Sequence, residues 1–254
     1  LGTSSERVRV RPSSPAPDSP LCAFRTWGLF LLPGSMLYWF WKTTGQEVHT
    51  MDAQIFWQVI GQYNQQTAGV QAILLLHLLG ALALSYGQKC AWAAKAALGV
   101  LNLFMGFGFF ALYGTQSVQI FFAMPLFLAC GVLFLYEGVR HRKDQLCQPD
   151  GWQSIFLTLY LLYPAVSFLL GQRFPQMTTH IMPCPIDSLG IAVCTGYRRK
   201  NKLLLVLLVL WGLTGIKSVF FHVYEDLILF ACGIYGIAVL VHESKTAGKK
   251  QTRQ

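Results

Sequence analysis

Between residues 67 and 242 the apolar positions gather into seven runs, each bounded by charges, turn residues or both. They are Thr67 to Tyr86, about Ala91 to Tyr113, about Ser117 to Val139, Gln153 to Gly171, Ile186 to Tyr197, Lys202 to Phe220 and Asp226 to His242. Six are of a length to cross a hydrocarbon layer of about 30 Å as helices, which takes about 20 apolar residues. Ile186 to Tyr197 reaches only about 18 Å at 1.5 Å per residue, so it is predicted to be a half-helix. Ahead of these runs, from Asp52 to Gln66, Phe56, Val59, Ile60 and Tyr63 recur at helical spacing, with Gln54, Gln58, Gln62 and Gln65 at other positions. That is the pattern of an amphipathic helix lying at a membrane interface. The predicted fold is all-α: a polytopic transmembrane helix bundle of seven spans, one of them a short half-helix, with an N-terminal interfacial amphipathic helix.

Composition agrees with this pattern. Hydrophobic residues make up 54% of the 254 and charged residues only 12%, whereas soluble domains carry about 25% charged residues. A soluble domain is excluded on that ground. The net charge of +9 could suggest nucleic acid, but the positions of the charges give it another meaning. Alternate loops and the tail hold thirteen basic residues: Lys89, Lys95, Arg140, Arg142, Lys143, Arg198, Arg199, Lys200, Lys202, Lys245, Lys249, Lys250 and Arg253. The other set of loops holds only Arg173. Basic loops face the cytoplasm, so Met51 is predicted outside and the C-terminus, with its basic tail from about residue 243, inside. The basic loops carry no interleaved aromatic stacking positions. They predict anionic lipid as the partner, and no nucleic acid.

Residues 1–20 are rich in Ser and Pro and poor in large apolar side chains, a composition that buries no core. Residues 27–41 are apolar but short, and Pro33-Gly34 interrupts them. Residues 1–50 are therefore expected to be an extension ahead of the membrane domain at 51–254. A further membrane-associated segment at 27–41 is the alternative.

Among the polar residues, His77 lies at the middle of its run and Asn102 near the middle of the next, which makes them a candidate intramembrane pair. Pro183-Cys184-Pro185 stops any preceding helix and suits the first turn of the next. The half-helix should then begin below the membrane surface, its free amides lining a concavity able to take an anion or a carbonyl. His180, Cys184 and Asp187 stand at its mouth, although Asp187, taken alone, reads first as an ordinary cap. Lys217, His222, Glu225 and Asp226 cluster at the sixth-to-seventh connection on the same side. They either snorkel and cap or join His180 and Asp187 in one pocket. Glu137 has Arg140 at i+3, the spacing of a local ion pair. Gly99 with Gly106, and Gly131 with Gly138, are seven apart and predict close packing of the second and third spans. The seven cysteines show no metal or disulfide spacing, and no P-loop, dinucleotide, zinc-protease or serine-hydrolase motif is present. No cofactor is expected.

Three stretches resemble a bacterial family of small multi-spanning proteins catalogued as domain of unknown function 6064. They are IFWQVIGQYNQQTAGVQ at 55–71, LLYPAVSFLLGQRFPQMTTHIMPCPIDSLGIAVCTG at 161–196 and VLWGLTGIKSVFFHVYEDLILFACG at 209–233. The second is the most specific, through its Tyr-Pro span end, its Phe-Pro and its Pro-Cys-Pro before a short helix. One departure is GFGFFALY in the second run, where the family has an aromatic-His pair. The resemblance covers roughly residues 51–242 and implies a bacterial inner-membrane location without an established activity. The residues leave three functions open: binding or passage of a small solute or lipid at an outward-facing pocket, a membrane-embedded enzyme using the same polar residues, and a non-catalytic scaffold subunit. Transporters of this size often work as dimers, so a homo-oligomer is an expected partner under the first reading.

Overall fold

The computed structural model describes residues 53–114, 118–221 and 223–251. Among them the chain forms seven helical runs joined by loops, and no strand beyond isolated bridges. Helix α1 spans Ala53–Tyr86. Helix α2, Ala93–Phe104, continues as a π-turn over Met105–Ala111, and a second π-turn, Gln119–Ala123, leads into α3, Met124–Arg140. Helices α4 and α5 are Gly151–Leu169 and Pro183–Gly196. Helix α6, Lys202–Gly212, tightens to a 3-10 turn at Leu213–Lys217 and ends in the helical turn Ser218–Phe221. A 3-10 turn at Tyr224–Asp226 starts α7, Leu227–Gln251. Five of the runs are long and apolar enough to cross a membrane: Ile55–Tyr86, Ala93–Ala111, Gln119–Arg140, Gly151–Leu169 and Tyr224–Thr246. The exceptions are α5, which is short, and the run from Lys202, which the 3-10 turn breaks. The expectations for residues 1–50 and for His222 fall outside the described residues.

Local sequence explains the helix ends. The Asp150 carboxylate accepts from the Gln153 amide (2.7 Å) to cap α4, and Asn201 caps α6 through the Leu204 amide (3.1 Å). Gly171, at φ +98°, closes α4, with Gln172 N–H donating to Ser167 O and Gly171 N–H to Phe168 O, both at 3.1 Å. That is the paired carbonyl closure of a helix whose C′ residue is left-handed.

The amphipathic stretch expected at 52–66 is not a separate element. It runs into the first span as one helix, because no proline interrupts residues 53–86. At 34 residues α1 is about 51 Å long, well beyond the hydrocarbon thickness.

Helix α5 is the axis of the bundle. Every residue from Pro183 to Thr195 except Cys184 is buried, enclosed by α2, α4, α6 and α7. A helix apolar all round is stable only when so enclosed. The glycine spacing works as predicted: a Cβ on Gly131 would lie 3.0 Å from Gly99 O, and one on Gly99 3.1 Å from Gly131 O, so α2 and α3 meet backbone to backbone. Outside, Ile73, Leu76, Leu112, Phe121, Val139, Leu169 and Ile234 are exposed, an apolar surface of the kind a bilayer covers.

The two sets of loops lie at opposite ends of the bundle. At one end Tyr197 Oη donates to Ala91 O (2.8 Å), Gln88 to Leu146 O, and Lys200 pairs with Glu243 (2.9 Å). We call this the basic end. At the other, α1 and the turn before α7 grip the segment 172–182. We call this the loop end.

Candidate functional site

The loop end is built on two polar clusters that share the segment 172–182. The first comes from α1, where Tyr63, Asn64, Thr67 and Gln71 form a polar stripe on the buried face. Asn64 Nδ2 donates to Pro175 O (2.7 Å) and Met177 O (2.8 Å), and Tyr63 Oη donates to Ile181 O (2.7 Å). Gln71 Nε2 donates to Asn64 Oδ1 (3.1 Å) and to Thr67 Oγ1 (2.9 Å), and Thr179 Oγ1 donates to Gln71 Oε1 (2.8 Å). Gly61 makes room for the segment, since a Cβ there would lie 3.0 Å from Gln176 Cγ.

The second cluster is acidic. Glu225 is buried, and its Oε1 accepts from Ser167 Oγ and Thr178 Oγ1, both at 2.9 Å. Ser167 Oγ in turn accepts from the Thr178 amide (3.0 Å). Beside it, Tyr163 Oη donates to Asp226 Oδ1 (3.0 Å), and the Cys184 thiol is within hydrogen-bonding reach of the same carboxylate. Tyr163, Ser167, Thr178 and Glu225, all buried, with the half-buried Cys184 and Asp226 thus form one constellation drawn from α4, the 172–182 segment, α5 and the turn before α7.

Asp187 lies deeper. It is 2% exposed, and its Oδ2 has no hydrogen-bond partner among the described residues. Its electrostatic neighbours are the thiols of Cys130, Cys184 and Cys232. It is not the cap that its place in the sequence suggests. Helix α5 starts at Pro183, after Met182, with no side-chain cap, so Asp187 stands in the second turn and turns into the bundle. The predicted cradle of free amides is also corrected. Pro183 and Pro185 have no N–H, and the Ile186 amide already donates to Met182 O (3.0 Å). Only Cys184 contributes a first-turn amide, so an anion finds no nest there.

The other expected residues are distributed around this constellation. His180 points away from it, with Nε2 3.2 Å from Leu161 O and the ring edge-on to Tyr160 at 5.3 Å. Its burial against α4 lowers its pKa below the usual 6.5, the contact with Leu161 O opposing that shift. Lys217 is half-buried in the 3-10 turn at the same end. His77 and Asn102 are not a pair. His77 is exposed on α1, while Asn102 is fully buried and its Nδ2 donates to Leu98 O of its own helix (2.8 Å). Among the described residues no group of three or more His, Cys, Asp and Glu is placed to hold a metal.

Besides Tyr163, Ser167 and Thr178, which hold Asp226 and Glu225, two further features lie outside the sequence expectations. One is the Tyr63, Asn64, Thr67, Gln71 stripe, whose signal is polar residues recurring at i+4 and i+7 on one helical face. The other is an ion cluster at the basic end. Lys95, only 4% exposed, pairs with Asp144 (2.7 Å) and Glu137 (3.6 Å) and lies over the Tyr197 ring at 4.1 Å. Glu137 also meets His141 (3.1 Å) and accepts from Asn201 Nδ2 (2.9 Å). Its partners are therefore these, and the predicted Arg140 pairing is replaced.

A model of a family of unknown function (DUF6064) matches residues 53–251. No curated protein and no solved structure matches the chain.

Proposed function

The chain belongs to that family of unknown function, and from this premise we propose that it is a seven-pass integral membrane protein that binds and passes a small solute through the loop end of the bundle. Five helices are long and apolar enough to cross; counting the short α5 as the half-helix of one crossing and the run from Lys202 as another gives seven. With the basic end in the cytoplasm, the loop end faces outward across a bacterial inner membrane, and the basic loops rest on anionic lipid. A homo-oligomer would be its working form.

The observation that carries the reading is Asp187. A carboxylate inside an apolar bundle is costly, and where one is kept it marks a solute, ion or proton site. Its Oδ2, on the axial helix and below the Glu225 and Asp226 constellation, has no hydrogen-bond partner among the described residues. Because the prolines remove the amides an anion would need, the group recognised is a hydrogen-bond donor or a cation. Tyr163, Ser167 and Thr178 hold the two upper carboxylates in place through neutral donors.

The test is a metabolite screen by thermal shift on the purified chain, with Asp187→Asn and Lys217→Met beside it. An amine-bearing or otherwise donor-bearing solute should stabilise the unsubstituted chain, and Asp187→Asn should abolish the shift. Identical profiles for all three proteins would remove the solute reading and favour a scaffold subunit.

A further inference from the structure

A passage along α5 must be closed somewhere, and the basic end supplies the closure. Helix α5 has 14 residues, about 21 Å, and does not reach across the hydrocarbon layer. Its axis is continued at the basic end by polar side chains and loop backbone. Leu146 and Tyr197 pair in an antiparallel bridge, with Cys147 N–H on Gly196 O (3.0 Å) and Arg198 N–H on Gln145 O (3.2 Å). Asp144 Oδ1 accepts from the Arg199 amide (3.1 Å) while its Oδ2 meets Lys95. Glu137 holds Asn201, and Tyr197 Oη reaches Ala91 O. Three loops are thereby tied over the end of α5 by hydrogen bonds and ion pairs, with Lys95 at their centre.

We propose that Lys95, Glu137, Asp144 and Tyr197 form the closed inner gate of the solute passage, an inference that rests on the solute-passage reading above. Two observations point to a gate in place of a permanent clamp. First, the seal is made of side-chain and loop contacts, which water can replace without breaking any helix. A buried ion pair adds little net stability over apolar packing, so its use here is better matched to a two-state closure. Second, a small void of about 10 Å³, room for about one water, lies within the cluster itself, lined by Lys95, Phe134, Glu137, Cys194, Tyr197 and Asn201 among others. Cys194, 5% exposed, is thus the first thiol at the gate, and the fully buried Cys232, beside Asp187 and Ser188, lies farther along the axis.

The experiment measures N-ethylmaleimide modification of each native cysteine, by peptide mass spectrometry, on the full chain in membrane vesicles. Lys95→Gln should raise the rate at Cys194 by about tenfold or more, a fraction of what an unpaired buried charge produces, while Cys232 stays protected. Asp144→Asn, which removes the shorter ion pair and keeps the volume, should act in the same direction, and it stands in if Lys95→Gln does not reach the membrane. An unchanged Cys194 rate, or Cys194 and Cys232 rising together, overturns the gate. No solute is needed, so failure here is separable from failure of the metabolite screen.

Discussion

Asn64→Leu tests whether the α1 stripe holds the loop end together. The substitution keeps the approximate volume of the side chain and removes both donors to the 172–182 segment, the contacts to Pro175 O and Met177 O. Each such bond contributes about 1 kcal/mol net, and a buried carbonyl left unpaired costs about 1–3 kcal/mol. Pro175 and Met177 are only half-buried, so water recovers part of that loss, and about 2–4 kcal/mol remains. Gln71 and Thr179 lose their acceptor at Asn64 Oδ1 but keep each other. Released locally, that energy raises the open population of the segment by about 30-fold to 1,000-fold. Arg173 is an exposed reporter within it. Native-state trypsin cleavage after Arg173 in detergent should accelerate by the same factor while the helices stay intact. Tyr63→Phe, which removes one buried bond to Ile181 O, should accelerate it less. Cleavage within about threefold of the parent rate, less than one hydrogen bond's worth, would mean that the segment is held by packing and the stripe reasoning fails.

Other outcomes follow from the same geometry. Gly131→Ala places a methyl 3.0 Å from Gly99 O and 2.8 Å from Leu103 Cγ, so α2 and α3 must part; a loss of about 1–3 kcal/mol should appear as a lower melting temperature in detergent. Asp187→Asn removes an unpaired buried acid, so it should leave thermal stability unchanged or raise it even as ligand response is lost, and marked destabilisation would point to a structural partner. His180 has a lowered folded pKa, so below the ordinary imidazole value of about 6.5 the unfolded chain binds the extra proton first and stability falls with falling pH. His180→Gln should flatten that acid limb in a pH series of melting temperatures, and an unaltered limb would assign it to other groups. A reporter fused after Gln254 should be active only on the cytoplasmic side.

The helical runs and the separation of basic from neutral loops could be read from the chain because both depend on local composition. The Gly99 and Gly131 contact was legible for the same reason: a seven-residue spacing puts small residues on one face whatever the partner. The site was less legible where position depends on where a helix starts. Asp187 reads as a cap if α5 begins at Pro185, and beginning at Pro183 turns it into the core. Lys95 reads as a loop cation because its neighbours in sequence are a boundary, yet its partner Asp144 is 49 residues away. Glu137 shows the limit of local pairing: Arg140 is nearest in sequence, and the fold brings Lys95 and Asn201 instead. The interfacial helix failed for a related cause, since amphipathicity reports a change of environment along a helix but not a break in it.

The continuity of α1 has a mechanical consequence. Near its start Asn64 grips the 172–182 segment at the loop end. Past its end Gln88 is bound to Leu146 O, next to the strand pairing that covers α5, while Gln148 reaches Tyr86 O (3.3 Å). From Asn64 to Tyr86 is about 33 Å of uninterrupted helix, so α1 is a strut with a handhold at each end. Tilting it to release the loop-end segment also pulls on the loop at the basic end. The two ends of the bundle are thereby geared together through one rigid rod on its periphery, without any signal having to cross the packed core.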